Sequence, residues 1–181
     1  MLGKVAEAVL GGLSYLYVHH RVMHRDIRPS KILVNRHGHV KLSDLGPSTN
    51  LSSSYASSIV GSAHYQSPER IQMQPYTVKS DVWSFGLTLF EIAVAIYPYD
   101  LNTRNNKLTD DSIGVYLDKI VTEPAPTLPK SDAFPSILYE LIEKCLRKDP
   151  DKRPYPQDLN VFHPCTLVHC THEADLNLIG Q

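Results

Sequence analysis

Two carboxylates set among many cations could carry out chemistry on a phosphate group. Residues 24–35 read HRDIRPSKILVN, and Asp44-Leu45-Gly46 follows nine residues after Asn35. In phosphoryl transfer, one carboxylate positions the attacking hydroxyl while another holds a metal ion on the phosphates. Asp26 and Asp44 are the candidates for these two tasks.

The segment between the two carboxylates predicts a β-hairpin. Ile32-Leu33-Val34 and Val40-Lys41-Leu42 are short runs suited to strands, and they flank residues 35–39, with Gly38 at the turn. Runs of this kind around a glycine-containing turn are typical of two antiparallel strands. A hairpin therefore separates the two candidates along the chain.

A helix is predicted immediately before this region. Apolar residues recur there at steps of three and four, which is the spacing of one buried helix face: Leu2, Val5, Val9, Leu13 and Leu16. Gly11 and Gly12 weaken the helix locally. The cations of His19-His20-Arg21 suit its C-terminal end, so we expect the helix to end there.

A long apolar helix is predicted in the middle of the chain. Residues 82–96 are apolar nearly all round, as in a buried helix, and Ser80 is expected to cap it. Shorter helices are expected after Ser67-Pro68 and around residues 113–120 and 137–145. The chain is therefore predicted to be mainly α, a helical core with one or two short β-hairpins.

The composition favours a globular protein in a reducing compartment. Of the 181 residues, 42% are hydrophobic and 20% charged, and the net charge of −1 gives no argument for nucleic acid or membrane as a partner. Three cysteines are too few for a disulfide framework. The most apolar run, residues 82–96, is shorter than the ~20 residues that cross a bilayer. We expect a cytoplasmic location, or a nuclear one.

Five short motifs resemble, in their order, the C-terminal lobe of protein kinases. They are HRD at 24–26, DLG at 44–46, SPE at 67–69, DVWSFG at 81–86 and RP at 153–154. The resemblance covers roughly residues 2–163. It implies a kinase-like C-terminal lobe at residues 1–163, followed by a tail at 164–181.

Longer stretches resemble the mitogen-activated protein (MAP) kinase kinases. They are KILVN at 31–35, VGS at 60–62, SDVWS at 80–84 and IVTEP at 120–124, while GHVKL at 38–42 and KRPYP at 152–156 favour the type 5 subgroup. The resemblance implies a kinase that uses ATP and Mg²⁺ to phosphorylate a MAP kinase. It also implies activation by an upstream MAP kinase kinase kinase.

A serine-rich loop holds the residues that would be modified in that activation. Seven of residues 47–58 carry an aliphatic hydroxyl, and Ser54 and Ser58 have the SxxxS/T spacing of the family's phosphorylation sites. Without the preceding Asp44-Leu45-Gly46, a plain surface linker would be the better interpretation.

The resemblance also assigns roles at the reaction centre. Asp26 would be the base for the substrate hydroxyl, and Asp44 would hold Mg²⁺. Arg28 replaces the lysine that contacts the γ-phosphate, and Ser62 keeps a hydroxyl near Asp26. Leu33 would lie beneath the adenine.

Six further positions are implied to be regulatory or structural: His24, Arg25, Gly46, Glu69, Asp81 and Arg153. Arg25 would pair with phosphate on the serine-rich loop. Glu69 and Arg153 would form a buried ion pair, and Asp81 would brace the backbone of the catalytic segment.

Two departures from the family pattern bear on activity. Lys31 stands where the family has the asparagine that ligates a second Mg²⁺, and lysine offers only donors and a positive charge. We expect Lys31 to pair either with Asp44 or with phosphate oxygens. The 181 residues also contain no G-x-G-x-x-G and no V-A-x-K motif. The N-terminal lobe is therefore expected to be absent, nucleotide binding weak and the chain inactive alone.

Three alternatives remain open. Arg28, Lys31 and Leu45 favour a pseudokinase, or a binding module that docks a MAP kinase or an upstream kinase. A zinc site could use His and Cys residues of the tail, but their spacing matches no usual pairing: His163, Cys165, His169, Cys170 and His172. The basic residues between 21 and 41 could bind RNA, although the absence of interleaved aromatic residues favours phosphate handling.

Overall fold

The computed structural model describes residues 1–44, 63–100 and 113–159, and this part of the chain is mainly helical, which confirms the predicted fold class. The helices are α1 (Leu2–Tyr15), α2 (Pro68–Ile71), α3 (Lys79–Val94), α4 (Ile113–Thr122) and α5 (Ser136–Cys145). Strands β1 (Ile32–Val34) and β2 (Val40–Leu42) form one antiparallel pair.

Helix α1 runs without interruption through Gly11 and Gly12. Its buried face includes Val5, Val9 and Leu13, as the spacing predicted. A single π-helical turn, Leu16–His20, extends it to Arg21, whose left-handed backbone (φ 55°) ends the helix. Packing of the apolar face therefore outweighs the cost of two glycines, which is about 1 kcal/mol each.

The predicted hairpin forms with the expected strand bounds. Ile32 pairs with Leu42 and Val34 with Val40, and Gly38 adopts φ 74° in the connecting loop. The side-chain oxygen of Asn35, Oδ1, accepts hydrogen bonds from the backbone N–H groups of His37 (2.9 Å) and His39 (3.0 Å). The turn is thus fixed by its own residues, and β2 packs against α1.

Helix α3 is the central element of the core. All its residues from Ser80 to Phe90 are buried, and it packs against α1 and α5. A Cβ atom on Gly86 would lie 2.7 Å from the Cβ of Cys145, so the glycine permits the close approach of α5.

The prediction that Ser80 caps α3 was wrong. The helix begins at Lys79, two residues before the start that a Ser80 cap would give, and its N-cap position is Val78. The backbone N–H of Lys79 donates to Thr77 Oγ1 at 3.3 Å. Ser80 instead donates its hydroxyl to Glu69 Oε1 at 2.8 Å. A buried carboxylate such as that of Glu69 needs hydrogen-bond donors from neighbouring residues. The Ser80 hydroxyl is one of these donors, so it does not cap the helix.

The other helices follow the predicted apolar periodicity. The short helix expected near Ser67-Pro68 is α2, which begins at Pro68 itself, and α4 ends at Thr122, two residues before Pro124. Helix α5 buries Leu138, Leu141, Ile142 and Cys145. Among the described residues, no helix is long and apolar enough to cross a membrane.

Candidate active site

The catalytic segment is attached to the central helix through Asp81. The two carboxylate oxygens accept hydrogen bonds from the backbone N–H groups of His24 (2.7 Å) and Arg25 (2.8 Å), so the bracing contact implied by the resemblance is present. Asp81 is completely buried, and burial raises its pKa although these two hydrogen bonds act to lower it. The sequence separation of more than 50 residues makes this a tertiary contact.

A sharp turn then presents Asp26. Arg25 has a left-handed backbone (φ 69°), and its carbonyl accepts a hydrogen bond from Arg70 Nη1 at 3.0 Å. The buried His24 ring bonds Ser43 O through Nε2 (3.0 Å) and accepts from the Asp26 N–H at Nδ1 (3.3 Å). A neutral imidazole protonated on Nε2 makes both bonds at once.

Asp26, Arg28, Lys31 and Asp44 form a compact ionic cluster. Arg28 Nε lies 3.1 Å from Asp26 Oδ1, and Lys31 Nζ lies 2.9 Å from Asp44 Oδ2. Lys31 Nζ is also 3.8 Å from Asp26 Oδ2. The structure therefore contains the first of the two expected Lys31 contacts, the one with Asp44, and places the ammonium between the two carboxylates.

The hairpin explains why Lys31 and Asp44 meet. Beyond the end of β2, the backbone N–H and the hydroxyl of Ser43 both donate to Lys31 O, at 2.9 and 3.2 Å. These bonds continue the strand pairing and place residue 44 beside residue 31. The hydrogen bond and the charge of Lys31 together lower the pKa of Asp44, so its carboxyl is ionised at neutral pH.

A second ion pair lies in the core. Arg153 donates from both terminal nitrogens to the two Glu69 carboxylate oxygens, each at 2.8 Å, so the implied pair of Glu69 and Arg153 is present. Burial alone would raise the pKa of Glu69, but the hydrogen bonds and charge of Arg153 outweigh it and lower the pKa. Arg153 also donates to the carbonyls of Lys79 and Arg147. This pair holds α2, α3 and the segment after α5 together.

Leu33 and Val34 of β1 are both exposed, at 56% and 43%. Successive residues of a strand point to opposite faces, so the two side chains do not share one surface. An exposed leucine would suit a flat apolar ligand such as adenine, and that role of Leu33 stays a prediction. Ser54, Ser58, Ser62, Leu45, Gly46 and the tail histidines and cysteines lie outside the described residues.

A ring of aromatic residues beside the site was missed by the sequence reasoning. The Tyr97 hydroxyl donates to the carbonyl of His64, and the Tyr65 hydroxyl donates to the half-buried Glu91 carboxylate. The rings of Tyr65, Tyr97 and His64 meet edge to face, and Tyr116 joins them. These residues fix the segment 63–65, which directly follows the undescribed residues 45–62. Since the rings come from three distant segments, no spacing pattern predicts the cluster.

Arg70 was also missed as a support of the site. Its guanidinium binds the carbonyl of Arg25 and lies over the ring of Tyr76, with 5.4 Å from Cζ to the ring centroid. Its position directly after the SPE motif gave a weak signal that it belongs to the same region.

The charged groups fit a nucleotide phosphate and a divalent cation only in part. Asp44 offers a hard oxygen ligand on a 69% exposed side chain, which suits Mg²⁺. Lys31 offers no lone pair, and its ammonium adjoins one of the Asp44 oxygens. The described residues contain no group of three or more His, Cys, Asp or Glu side chains that could hold a metal ion. The donor set thus fits one cation at Asp44 and does not fit a second at Lys31.

Comparison with known proteins gives the class of this chain. Residues 1–163 match the model of the protein kinase domain, and the chain belongs to the protein kinase family.

Within that family, the chain is similar to three proteins that are named as MAP kinase kinases. The chain is 53% identical over 161 residues to the mitogen-activated protein kinase kinase MST7 of Pyricularia oryzae, covering 88% of this chain and 39% of the relative. It is 41% identical over 194 residues to the dual specificity mitogen-activated protein kinase kinase dSOR1 of Drosophila melanogaster, covering 98% and 48%. It is 40% identical over 168 residues to the MAP kinase kinase MKK1/SSP32 of Saccharomyces cerevisiae, covering 91% and 32%.

The chain therefore spans less than half the length of these relatives. The family prediction is confirmed, and the type 5 subgroup stays a prediction.

Proposed function

We propose that these residues form the hydroxyl-activating half of a MAP kinase kinase, which transfers the γ-phosphate of ATP to Ser, Thr or Tyr of a MAP kinase. The observation that carries the proposal is the fixed position of Asp26. Its N–H donates to the ring of the buried His24, and Asp81 binds the N–H groups of the two preceding residues. The Asp26 side chain is 20% exposed and lies beside two cations. A carboxylate that is fixed yet accessible is what a substrate hydroxyl requires.

The charges around Asp26 support the same chemistry. Asp26 would accept a hydrogen bond from the incoming hydroxyl and orient it. Arg28 and Lys31, with 27% and 19% of their side chains exposed, would bind phosphate oxygens at the edge of the site. Asp44 would hold Mg²⁺, which neutralises phosphate charge when it is bound.

The regulation that we propose follows the resemblance. An upstream MAP kinase kinase kinase would phosphorylate Ser54 and Ser58, and Arg25 would bind the added phosphate. The spacing of the two serines and the names of the relatives support this proposal.

We further propose that residues 1–181 have little activity by themselves. They contain neither the Gly-rich loop nor the strand lysine that hold the phosphates of ATP. The activity would belong to a protein that also supplies those parts.

A phosphotransfer assay tests these proposals. Residues 1–181, and a version of the chain joined to an N-terminal lobe from a related kinase, are each incubated with ATP labelled at the γ-phosphate and a purified MAP kinase. Label should enter the MAP kinase with the joined version and fall to background with its Asp26→Asn variant. Equal labelling by the Asp26→Asn variant would exclude Asp26 as the base.

A binding module is the second candidate function. The ion pair between Lys31 and Asp44 favours it, because this contact competes with the metal for a catalytic carboxylate. Such a protein would dock a MAP kinase or an upstream kinase without transferring phosphate. It predicts that residues 1–181 bind the MAP kinase with the same affinity whether Asp26 is present or changed to Asn, and that no version of the chain transfers label.

A further inference from the structure

The Lys31 ammonium lies where two carboxylates converge. Its Nζ atom is 2.9 Å from Asp44 Oδ2 and 3.8 Å from Asp26 Oδ2. A position between two carboxylates of a phosphate-handling site is one that a divalent cation would otherwise favour. In this chain the Lys31 ammonium supplies the positive charge between the two carboxylates.

Hydrogen bonds to the N–H and to the carbonyl of Lys31 fix the backbone that carries the ammonium. The Lys31 N–H donates to Arg28 O at 2.9 Å within a short 3₁₀ turn. The Lys31 carbonyl accepts from the backbone and the hydroxyl of Ser43, which precedes Asp44. The Lys31 side chain is only 19% exposed, so it does not extend freely into solvent. The contact with Asp44 is thus a consequence of the hairpin geometry.

We propose that Lys31 acts as an internal cation, replacing a divalent ion between Asp26 and Asp44. The site would then bind one divalent cation fewer than a site with an oxygen ligand at residue 31. The ammonium neutralises the two carboxylates and repels a second cation. This inference rests on the proposed function, because it concerns the same phosphate-handling site.

Manganese binding to the 181-residue chain tests the inference without nucleotide or turnover. Free and bound Mn²⁺ are counted by electron paramagnetic resonance during a titration, at fixed ionic strength. Lys31→Asn removes the ammonium and adds a carbonyl oxygen, whereas Lys31→Met only removes the ammonium. Lys31→Arg keeps the charge. Lys41→Asn removes an exposed cation from β2 and is the matched control for net charge.

The expected order of Mn²⁺ affinity is Lys31→Asn, then Lys31→Met, then the wild type. Lys31→Asn should bind Mn²⁺ at least about tenfold more tightly than the wild type, because a charge about 4 Å from a divalent cation repels it even in water. Lys31→Arg and Lys41→Asn should stay within about twofold of the wild type on the same electrostatic argument. Circular dichroism must show that each variant is folded, and Lys31→Gln replaces Lys31→Asn if the latter is not.

Two results would overturn the inference. One is equal Mn²⁺ affinity in the wild type and in folded Lys31→Asn or Lys31→Gln. The other is an equal gain in Lys41→Asn, which would reduce the effect to net charge. Because no phosphate is transferred in this experiment, either result leaves the proposed kinase function standing. Likewise, a failed phosphotransfer assay leaves the measured metal affinities intact.

Discussion

Two of the ionic groups among the described residues differ in how far they are buried. Glu69 and Arg153 are 3% and 1% exposed, and two terminal nitrogens of Arg153 donate to the two Glu69 oxygens at 2.8 Å each. In the cluster of Asp26, Arg28, Lys31 and Asp44, the side chains are 19–69% exposed. Arg28 Nε lies 3.1 Å from Asp26 there without the alignment of a hydrogen bond.

The difference in solvent exposure distinguishes an ion pair that stabilises the fold from charged groups that can bind a ligand. Buried charges are tolerated only when all their hydrogen bonds are made, and such a pair has no capacity left for a ligand. The second cluster is partly exposed and keeps contact with solvent, so substrate or phosphate can replace one partner at lower cost. The contrast predicts that changes at buried ionic groups cost more stability than changes in the partly exposed cluster.

Arg153→Met should be the most damaging change. It leaves the Glu69 carboxylate buried without its partner, and breaking a buried pair in this way costs about 3–5 kcal/mol of unfolding free energy. Urea denaturation measures the effect. Lys152→Ala, which removes a 73% exposed cation in a 3.5 Å ion pair, is the neighbouring control and should cost about 0–1 kcal/mol. Similar losses in both variants would contradict the contrast.

Asp81→Asn should have the next largest effect. The amide has one acceptor oxygen for the two backbone N–H groups of His24 and Arg25, and an unsatisfied buried donor costs about 1–3 kcal/mol. We also expect faster hydrogen exchange at these two amides. Asp118→Asn, at an exposed position of α4, should change stability by less than about 0.5 kcal/mol. Unchanged exchange at residues 24 and 25 would show that Asp81 does not hold the segment.

Acid should remove the stability that the buried pair of Glu69 and Arg153 contributes. The pKa of Glu69 is lowered from its ordinary 4.5, so the folded state binds this proton less readily than the unfolded state. The stability that Glu69 contributes is therefore complete above pH 4.5 and is lost as the pH falls through the lowered value. Urea denaturation between pH 7 and pH 3 measures this slope. It should be shallower in a Glu69→Gln, Arg153→Met double variant, and an equal slope would assign the acid sensitivity to other groups.

Lys31→Met should have the smallest effect on stability, about 0–1 kcal/mol, because the ion pairs that it breaks are in contact with solvent. Its local effect is on Asp44, whose pKa should rise toward the ordinary 3.8 once the hydrogen bond and charge of Lys31 are removed. Carbon-13 NMR of the carboxyl groups measures this titration. A loss of stability as large as that of Arg153→Met would show that the exposed cluster is structural.

Most of the fold could be predicted from the sequence, because it depends on local periodicity. The buried face of α1 follows from apolar spacing of three and four residues, and the burial of α3 from a run that is apolar nearly all round. The strand bounds follow from two short runs around a turn with Gly38. The end of α4 before Pro124 follows from the geometry of proline in the same way. Ser80 was mispredicted because its hydroxyl serves a carboxylate eleven residues away.

The candidate site could be predicted only as a set of residues. The motifs indicated Asp26, Asp44 and Lys31, but the sequence left open whether Lys31 would contact Asp44 or phosphate. The aromatic cluster around His64 and the contact of Arg70 with Arg25 could not be predicted, since they join segments separated by 33 and 45 residues.

Motifs and periodicity are local properties, and they were enough to indicate the family, the helical class and the charged residues of the site. Which of these charges are buried, and which of them meet, depends on packing between distant segments. This packing brought Glu69 to Arg153 across 84 residues and Lys31 to Asp44 across 13 residues, around the hairpin. The physical reason is that the strength of an ion pair depends on distance and solvent exposure, and both are set by packing between distant segments.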